Sequence, residues 1–238
     1  MNSTFIESLL GADRPLIMEV KRRDAHGNDL LGGRSIADAV AGFEAAGAPC
    51  ISVVTGRWFG GTEAMLREVA EITDLPLLQK DFIIRRDQLH TARRLGASAV
   101  LLTAALLPRS SMRNLVAACR SAGLTPFVEV TSEAEIEAVP DADECVIAVN
   151  NKDITTGERD AGDVDRSVRL LPALVRSGTR CPVSASGIDH PDVAARLLNE
   201  GFAGLLVGTS LLRTSSLGAW LDALDSWRRT GVGVDEKT

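Results

Sequence analysis

Leu75-Pro-Leu-Leu-Gln-Lys-Asp-Phe82 is an apolar, strand-like run that stops on a lysine. The helical stretch from Arg86 to Leu95 follows it and is closed by Gly96. A short buried strand, a polar residue at its end and a capped helix with a glycine stop form one unit, and this unit recurs along the chain. Lys80 is the first residue that needs a reason. A lysine that closes a buried strand loses solvent, and desolvation of an ammonium eases release of its proton, which suits proton transfer or carbonyl chemistry. The alternative is a surface lysine just past a strand.

Upstream, Pro15 to Lys21 reads as a first strand with two charges at its end, Glu19 and Lys21. Ser35 caps a helix to Ala46, Cys50 to Val54 is a β-branched strand closing at Thr55, and Thr62 opens a helix to Thr73. Downstream, the strands are Ala99 to Leu102, Pro126 to Val130, Cys145 to Val149, Pro182 to Ser184 and Ala203 to Val207. Their helices are Ser110 to Ala122, a short one opened by Ser132, Asp165 to Arg176, Pro191 to Asn199, and one long amphipathic helix from Ser210 to Trp227. Eight short apolar strands, each with its own helix, predict a single-domain α/β protein, a (β/α)8 TIM barrel. A doubly wound open sheet is the second choice, disfavoured because no Gly-x-Gly-x-x-Gly follows the first strand. The expected organisation is a short lead segment over 1–14, the barrel over 15–228 and a frayed tail over 229–238.

The bulk properties agree with such a domain. The chain has 238 residues, 45% of them hydrophobic, and a formal charge of −6 without a basic run, which argues against nucleic acid or an anionic membrane as partner. The N-terminus lacks a charged region followed by an apolar one, and no apolar run approaches a membrane span, so a cytoplasmic protein is expected. Cys50, Cys119, Cys145 and Cys181 are widely spaced, with no Cys-x-x-Cys and no histidine at ligand spacing. They read as free core thiols, and no metal is expected.

In a barrel of this kind the C-terminal strand ends converge on one pocket. Here they carry Glu19 with Lys21, Thr55, Lys80, Thr103, Glu129, Asn150 with Lys152, Ser184 with Ser186, and Gly208. Three lysines and two glutamates on one rim exceed what packing needs, because a buried charge costs several kcal/mol unless it is paired. Proton transfer and binding of an anionic substrate explain them better than mutual pairing alone. Gly187 and Gly208-Thr209, which precede helix starts after strands seven and eight, offer backbone N–H groups where such barrels seat a phosphate.

These residues resemble the indole-3-glycerol-phosphate synthase family from Pro15 to Leu212. The matching motifs are Met18-Glu-Val-Lys21, Ser52-Val-Val-Thr55 with Phe59 and Gly61, Gln79-Lys-Asp-Phe-Ile-Ile84 with Gln88, Val128-Glu-Val130, Val149-Asn-Asn-Lys-Asp153, Ser186-Gly-Ile188 and Val207-Gly-Thr-Ser-Leu211. The resemblance implies a lyase of tryptophan biosynthesis. It would close an indole ring on carboxyphenylamino-deoxyribulose phosphate with loss of carbon dioxide and water, and without metal or organic cofactor. It further implies Lys80 as general acid, Glu129 as proton carrier for the dehydration, Lys21 as an assisting cation and Glu19 as the group that holds a lysine. Phe59 and Asn150 would contact substrate, while Ser186, Gly187, Gly208 and Thr209 would cradle its phosphate.

The departures from the family pattern cluster at the same site. Asp24-Ala25-His26 stands where the family has Ser-Pro-Ser, Lys152 replaces an arginine, and Ala185 replaces the glutamate of Ser-Glu-Ser-Gly. Lysine keeps arginine's charge but not its planar fork, so Lys152 would grip an aromatic carboxylate less well. Asp24, if it faces the pocket, would repel that carboxylate. The N-terminal extension that covers the barrel mouth in the family is cut to about a dozen residues. An alternative is therefore a paralogue of secondary metabolism that cyclises or dehydrates a different sugar-phosphate-derived chain. A third reading is a non-catalytic binding barrel, which intact Lys21, Lys80 and Glu129 argue against. A small phosphorylated substrate is the expected partner, for a monomer or homodimer.

Overall fold

The computed structural model describes residues 3–154, 157 and 159–230. Eight parallel strands close into a barrel in sequence order, which rules out the doubly wound alternative. They are β1 (Leu16–Val20), β2 (Cys50–Val54), β3 (Leu77–Lys80), β4 (Ala99–Thr103), β5 (Thr125–Val130), β6 (Val146–Asn150), β7 (Cys181–Ala185) and β8 (Gly204–Val207). Closure is by β8 on β1, with Ile17 opposite Leu206. Nearly every strand residue is buried, because one strand face looks into the barrel and the other meets the helices; the strands therefore read as apolar runs without alternation.

The helices wrap the outside: α2 (Ile36–Ala45), α3 (Glu63–Ile72), α4 (Arg86–Arg94), α5 (Arg109–Ser121), α6 (Glu133–Glu137), α7 (Asp165–Ser177) and α8 (Pro191–Glu200). Ser35 and Asp38 form a reciprocal capping box on α2, and the Thr62 and Ser132 side chains cap α3 and α6. The expected long C-terminal helix is two, α9 (Thr209–Arg213) and α10 (Leu217–Thr230). Thr214 is extended and the Ser216 hydroxyl accepts the N–H of Ala219, so the Thr214-Ser-Ser216 stretch caps a new helix rather than continuing the old one. The apolar period runs through the break, since Leu211, Leu212, Trp220, Leu221 and Leu224 are all buried. Arg229 and Thr230 belong to α10; the tail expected beyond Gly231 lies outside the described residues.

The lead segment holds α1 (Thr4–Leu10), whose first turn is capped by Ser3. Phe5, Ile6 and Leu9 join the cluster that fills the barrel interior with Ile17, Leu78, Phe127 and Val183. Phe5 meets Phe127 edge-on, with ring centroids 6.3 Å apart, and Ser3 Oγ lies 2.5 Å from Thr125 Oγ1 at the start of β5. This helix thus closes the end of the barrel where the strands begin, opposite the mouth that the family's extension was expected to cover. The four cysteines are free and buried, and burial pushes the thiols of Cys119, Cys145 and Cys181 up to about 12.

Candidate active site

At the strand ends the interior changes from apolar to charged. Two cavities open there, and Lys80 lines both. The first, about 170 Å3, is polar and is bounded by Glu19, Lys21, Lys152, Ser186, Gly187, Gly208, Thr209 and Arg213, with Asp24 and His26 at its edge. The second, about 30 Å3, is lined by Trp58, Phe59, Phe82, Leu101, Glu129 and Ile154. Trp58 and Phe82 pack with ring centroids 5.0 Å apart. The barrel thus separates a cationic compartment from an aromatic one, with an ammonium at the boundary.

Glu19 organises the cations. Its Oε1 is 3.2 Å from Lys21 Nζ and its Oε2 is 4.0 Å from Lys80 Nζ, while Ser52 Oγ donates to Oε2 at 3.3 Å. Glu19 is 3% exposed and each lysine 8%, so each charge depends on its neighbours for the solvation that water would give. Lys21 Nζ also lies 5.3 Å from the centre of the Phe59 ring, a cation–π contact that ties the two compartments together. Gly208 makes room for this arrangement: a Cβ there would come within 2.7 Å of Glu19 Oε1.

The end of β3 is braced from outside the barrel. Gln79 Nε2 donates to Thr55 Oγ1 at 3.1 Å, and Thr55 Oγ1 donates to Asp81 Oδ2 at 2.7 Å. Gln88 donates to the Phe82 carbonyl and accepts the N–H groups of Ile84 and Arg85, which fixes the turn that presents Phe82 to the aromatic cavity. Thr55 is thus a brace and not a pocket residue. Ser184, on the outer face of β7, turns towards α7 and contacts Asn151 and Ser167.

Interior-facing Thr103 and Asn150 carry buried polar atoms, Thr103 Oγ1 and Asn150 Nδ2, with no hydrogen-bond partner among the described residues. Asn150 Oδ1 accepts the N–H of Lys152 at 2.9 Å, which turns its amide nitrogen the other way. Buried donors and acceptors are almost always satisfied, so these two atoms at the C-terminal strand ends are suited to a ligand's polar groups, although neither residue lines either cavity and Gln79 Oε1 and Trp220 Nε1 are unsatisfied in the same way. In register, Thr103 lies opposite Glu129 and Asn150 opposite Ala185.

The divergent residues sit differently from the simple expectation. Asp24 lines the polar cavity, but its charge is already engaged: Oδ1 accepts the N–H groups of His26 and Asn28, and Oδ2 accepts from Asn28 Nδ2 and Arg213 Nη2. Burial opposes its ionisation, yet the Asn28 and His26 hydrogen bonds and the Arg213 charge outweigh burial and hold its pKa at about 2. A substrate carboxylate would therefore meet a neutralised pair and not a bare aspartate. Lys152 lines the polar cavity that holds Ser186 and Gly187 and not the aromatic one. Ala185 is fully buried in the interior apolar cluster. Arg213 went unnoticed in the sequence; its signal was a basic residue one helical turn beyond Thr209.

The depressed Asp24 carboxyl makes a stability prediction. Its contribution is complete above the ordinary carboxylate range and is lost as pH falls from about 4 through about 2. Asp24→Asn is expected to lose about 1 kcal/mol at pH 7, a small figure because Arg213 is half exposed and its charge screened. The gap from wild type should shrink in urea unfolding repeated towards pH 3; a gap that widens on acidification would contradict the assignment.

Among the described residues, no three of His, Cys, Asp or Glu are grouped to hold a metal ion, and no helix is long and apolar enough to cross a membrane. Comparison with known proteins shows the family to which the chain belongs. The sequence profile of the family "Indole-3-glycerol phosphate synthase" matches residues 2–224. Indole-3-glycerol phosphate synthase 1 of Streptomyces coelicolor is 38% identical over 208 residues, 87% of this chain and 76% of that protein. The indole-3-glycerol phosphate synthase of Thermococcus kodakarensis is 35% identical over 200 residues, 84% of this chain and 86% of its own length. Among solved structures, 3-hexulose-6-phosphate synthase from Salmonella typhimurium superposes with a TM-score of 0.69 at 14% identity, over 90% of this chain and 98% of that one; this likeness concerns the fold. A closed barrel, a charged mouth and this extent of sequence identity have one reading: the chain belongs to the indole-3-glycerol phosphate synthase family, lyases that close an indole ring with loss of carbon dioxide.

Proposed function

We propose that this site carries out the family's ring closure with Lys80 as general acid and Glu129 as proton carrier, and without a cofactor. The observation that supports this most is the position of Lys80 on the wall shared by the two cavities, with Glu129 in the aromatic one. The substrate, carboxyphenylamino-deoxyribulose phosphate, would place its aromatic ring among Trp58, Phe59 and Phe82, whose side chains must part to admit it because the cavity between them is about 30 Å3. Its phosphate would lie against Ser186, Gly187, Gly208 and Thr209, with Lys152 as counter-charge. The sugar carbonyl then falls at Lys80. As the ring carbon that bears the carboxylate attacks the carbonyl carbon, Lys80 gives its proton to the carbonyl oxygen, which becomes a hydroxyl. The carboxylate leaves as carbon dioxide, and its bonding electrons restore the ring. The new hydroxyl departs as water with a proton from the Lys21 ammonium, Glu129 takes the proton released as the indole double bond forms, and the two lysines are reprotonated by way of Glu129 and solvent.

Lys21 stabilises the oxyanion side as a second cation, and Glu19 keeps both ammonium groups in place. Asn150 Nδ2 and Thr103 Oγ1 are suited to the substrate's hydroxyl groups, His26 and Asp24 border its outer edge, and Phe59 carries Lys21 against the ring. Because Asp24 is paired with Arg213, it is no obstacle to the anthranilate carboxylate, which removes one motive for an altered head group and leaves Lys152 and Ala185 as the others.

The test is turnover of the anthranilate-linked deoxyribulose phosphate, followed by indole fluorescence, with and without a metal chelator. Formation of indole-3-glycerol phosphate, unchanged by the chelator and inhibited competitively by inorganic phosphate, is the expected result. Absence of the fluorescent product from folded protein would reject the reading. In crystals grown with phosphate, an anion is expected at Gly187 and Gly208-Thr209; an anion only elsewhere on the rim would reject the cradle.

A further inference from the structure

Behind β7, Asn151, Ser167 and Ser184 are fully buried and hydrogen-bonded to one another. Ser167 Oγ donates to Asn151 Oδ1 at 2.7 Å, which uses its single proton. In the 2.7 Å contact between the two serines, Ser184 must therefore be the donor. Ser184 Oγ in turn accepts from Asn151 Nδ2 at 3.0 Å, and the second Asn151 amide proton goes to the Ser186 carbonyl, also at 3.0 Å. The three side chains form a closed ring in which every proton is assigned and one donor is left to point outward. Flipping the amide would set its oxygen against the Ser186 carbonyl, so the ring also fixes the amide orientation.

The outward donor holds a conformation that the backbone resists. Ser186 has φ of 67°, one of two positive values at non-glycine residues among those described, and Gly187 follows at 70°. A trans peptide sets its C=O and N–H on opposite sides of one rigid plane. Tying the Ser186 carbonyl to Asn151 therefore turns the Gly187 N–H away from Asn151. Gly187 lines the polar cavity and Asn151 does not. We infer that Asn151, Ser167 and Ser184 are positioning residues for the reaction, which hold the Ser186-Gly187 turn in the shape that presents its N–H to the substrate phosphate. This rests on the phosphate cradle proposed above.

The test uses the full chain and inorganic phosphate as the probe, read as a competitive inhibitor, with anthranilate binding as the control for the aromatic cavity. Ser167→Ala is expected to raise both the phosphate inhibition constant and KM about five- to tenfold, about the worth of one buried hydrogen bond, with kcat and anthranilate affinity unchanged. Asn151→Ala should lose more, and Ser167→Ala decides the matter should that variant fail to fold. Gly187→Ala, strained at a positive φ, probes the cradle directly. If Gly187→Ala weakens phosphate while the network variants do not, the positioning role is wrong and the cradle stands. If Gly187→Ala leaves phosphate binding intact, the cradle fails and this inference with it. A parallel loss of phosphate and anthranilate binding in Ser167→Ala would mean a general loosening and would overturn the inference as well.

Discussion

Lys80→Met is expected to lower kcat by about 10² to 10⁴, the range for loss of a positioned general acid, while the fold and the phosphate inhibition constant stay close to wild type. Methionine keeps most of lysine's length and all of its packing, so the apolar part of the side chain continues to fill the wall between the cavities. What disappears is the charge that develops its value only as the carbonyl oxygen gains electron density. Glu19 would still be held by Lys21 at 3.2 Å, so the variant does not strand a buried carboxylate. The measurement is steady-state kinetics with circular dichroism on the same samples. Turnover within tenfold of wild type would remove Lys80 from the proton transfer and shift attention to Lys21.

The largest effect on stability should come from the far end of the barrel. Phe5→Ala is expected to cost about 3 to 5 kcal/mol, a substantial part of the 5 to 15 kcal/mol typical of a whole domain. The seven residues of α1 are too few to form a helix without tertiary support, and Phe5 is its deepest anchor, fully buried and edge-on to Phe127. Its removal opens a cavity under a rigid layer of strand residues that cannot collapse inward. Urea unfolding should show the loss as a lower midpoint. The kcat of the fraction that stays folded should be unchanged, because the plug and the chemistry sit at opposite ends. A loss under about 1 kcal/mol would mean that α1 is a removable cover and not part of the core.

Strand and helix positions were legible because each strand is buried on both faces and each helix carries its own stop. That same double burial hid which polar residues face the pocket. Ser184 and Thr55 stand at strand ends like Lys80 and Glu129, yet a one-residue difference in register turns them to the outer layer, and an apolar run without alternation carries no record of that. The break between α9 and α10 was invisible because the buried leucines keep their period through it. Lys152 stands where the family has an arginine, and only the turn after β6 shows that it lines the polar cavity. Asp24 looked like an unpaired charge because its partner lies 189 residues away, on a helix that sequence reading had merged into a longer one.

Gly208 joins two parts of the molecule that have separate tasks. Its missing side chain lets Glu19 stand where it steadies both lysines, and the same residue opens the loop assigned to the phosphate. Any larger residue at 208 would press on the acid that orders the cations and narrow the anion seat in one stroke. Descendants of this barrel can therefore remodel the aromatic side, through the loops of Trp58 and Phe82, far more freely than the side of Gly208. New specificities in this lineage are expected to arise at the aromatic cavity, where the proposed reading puts the ring, with the polar cavity left as it was.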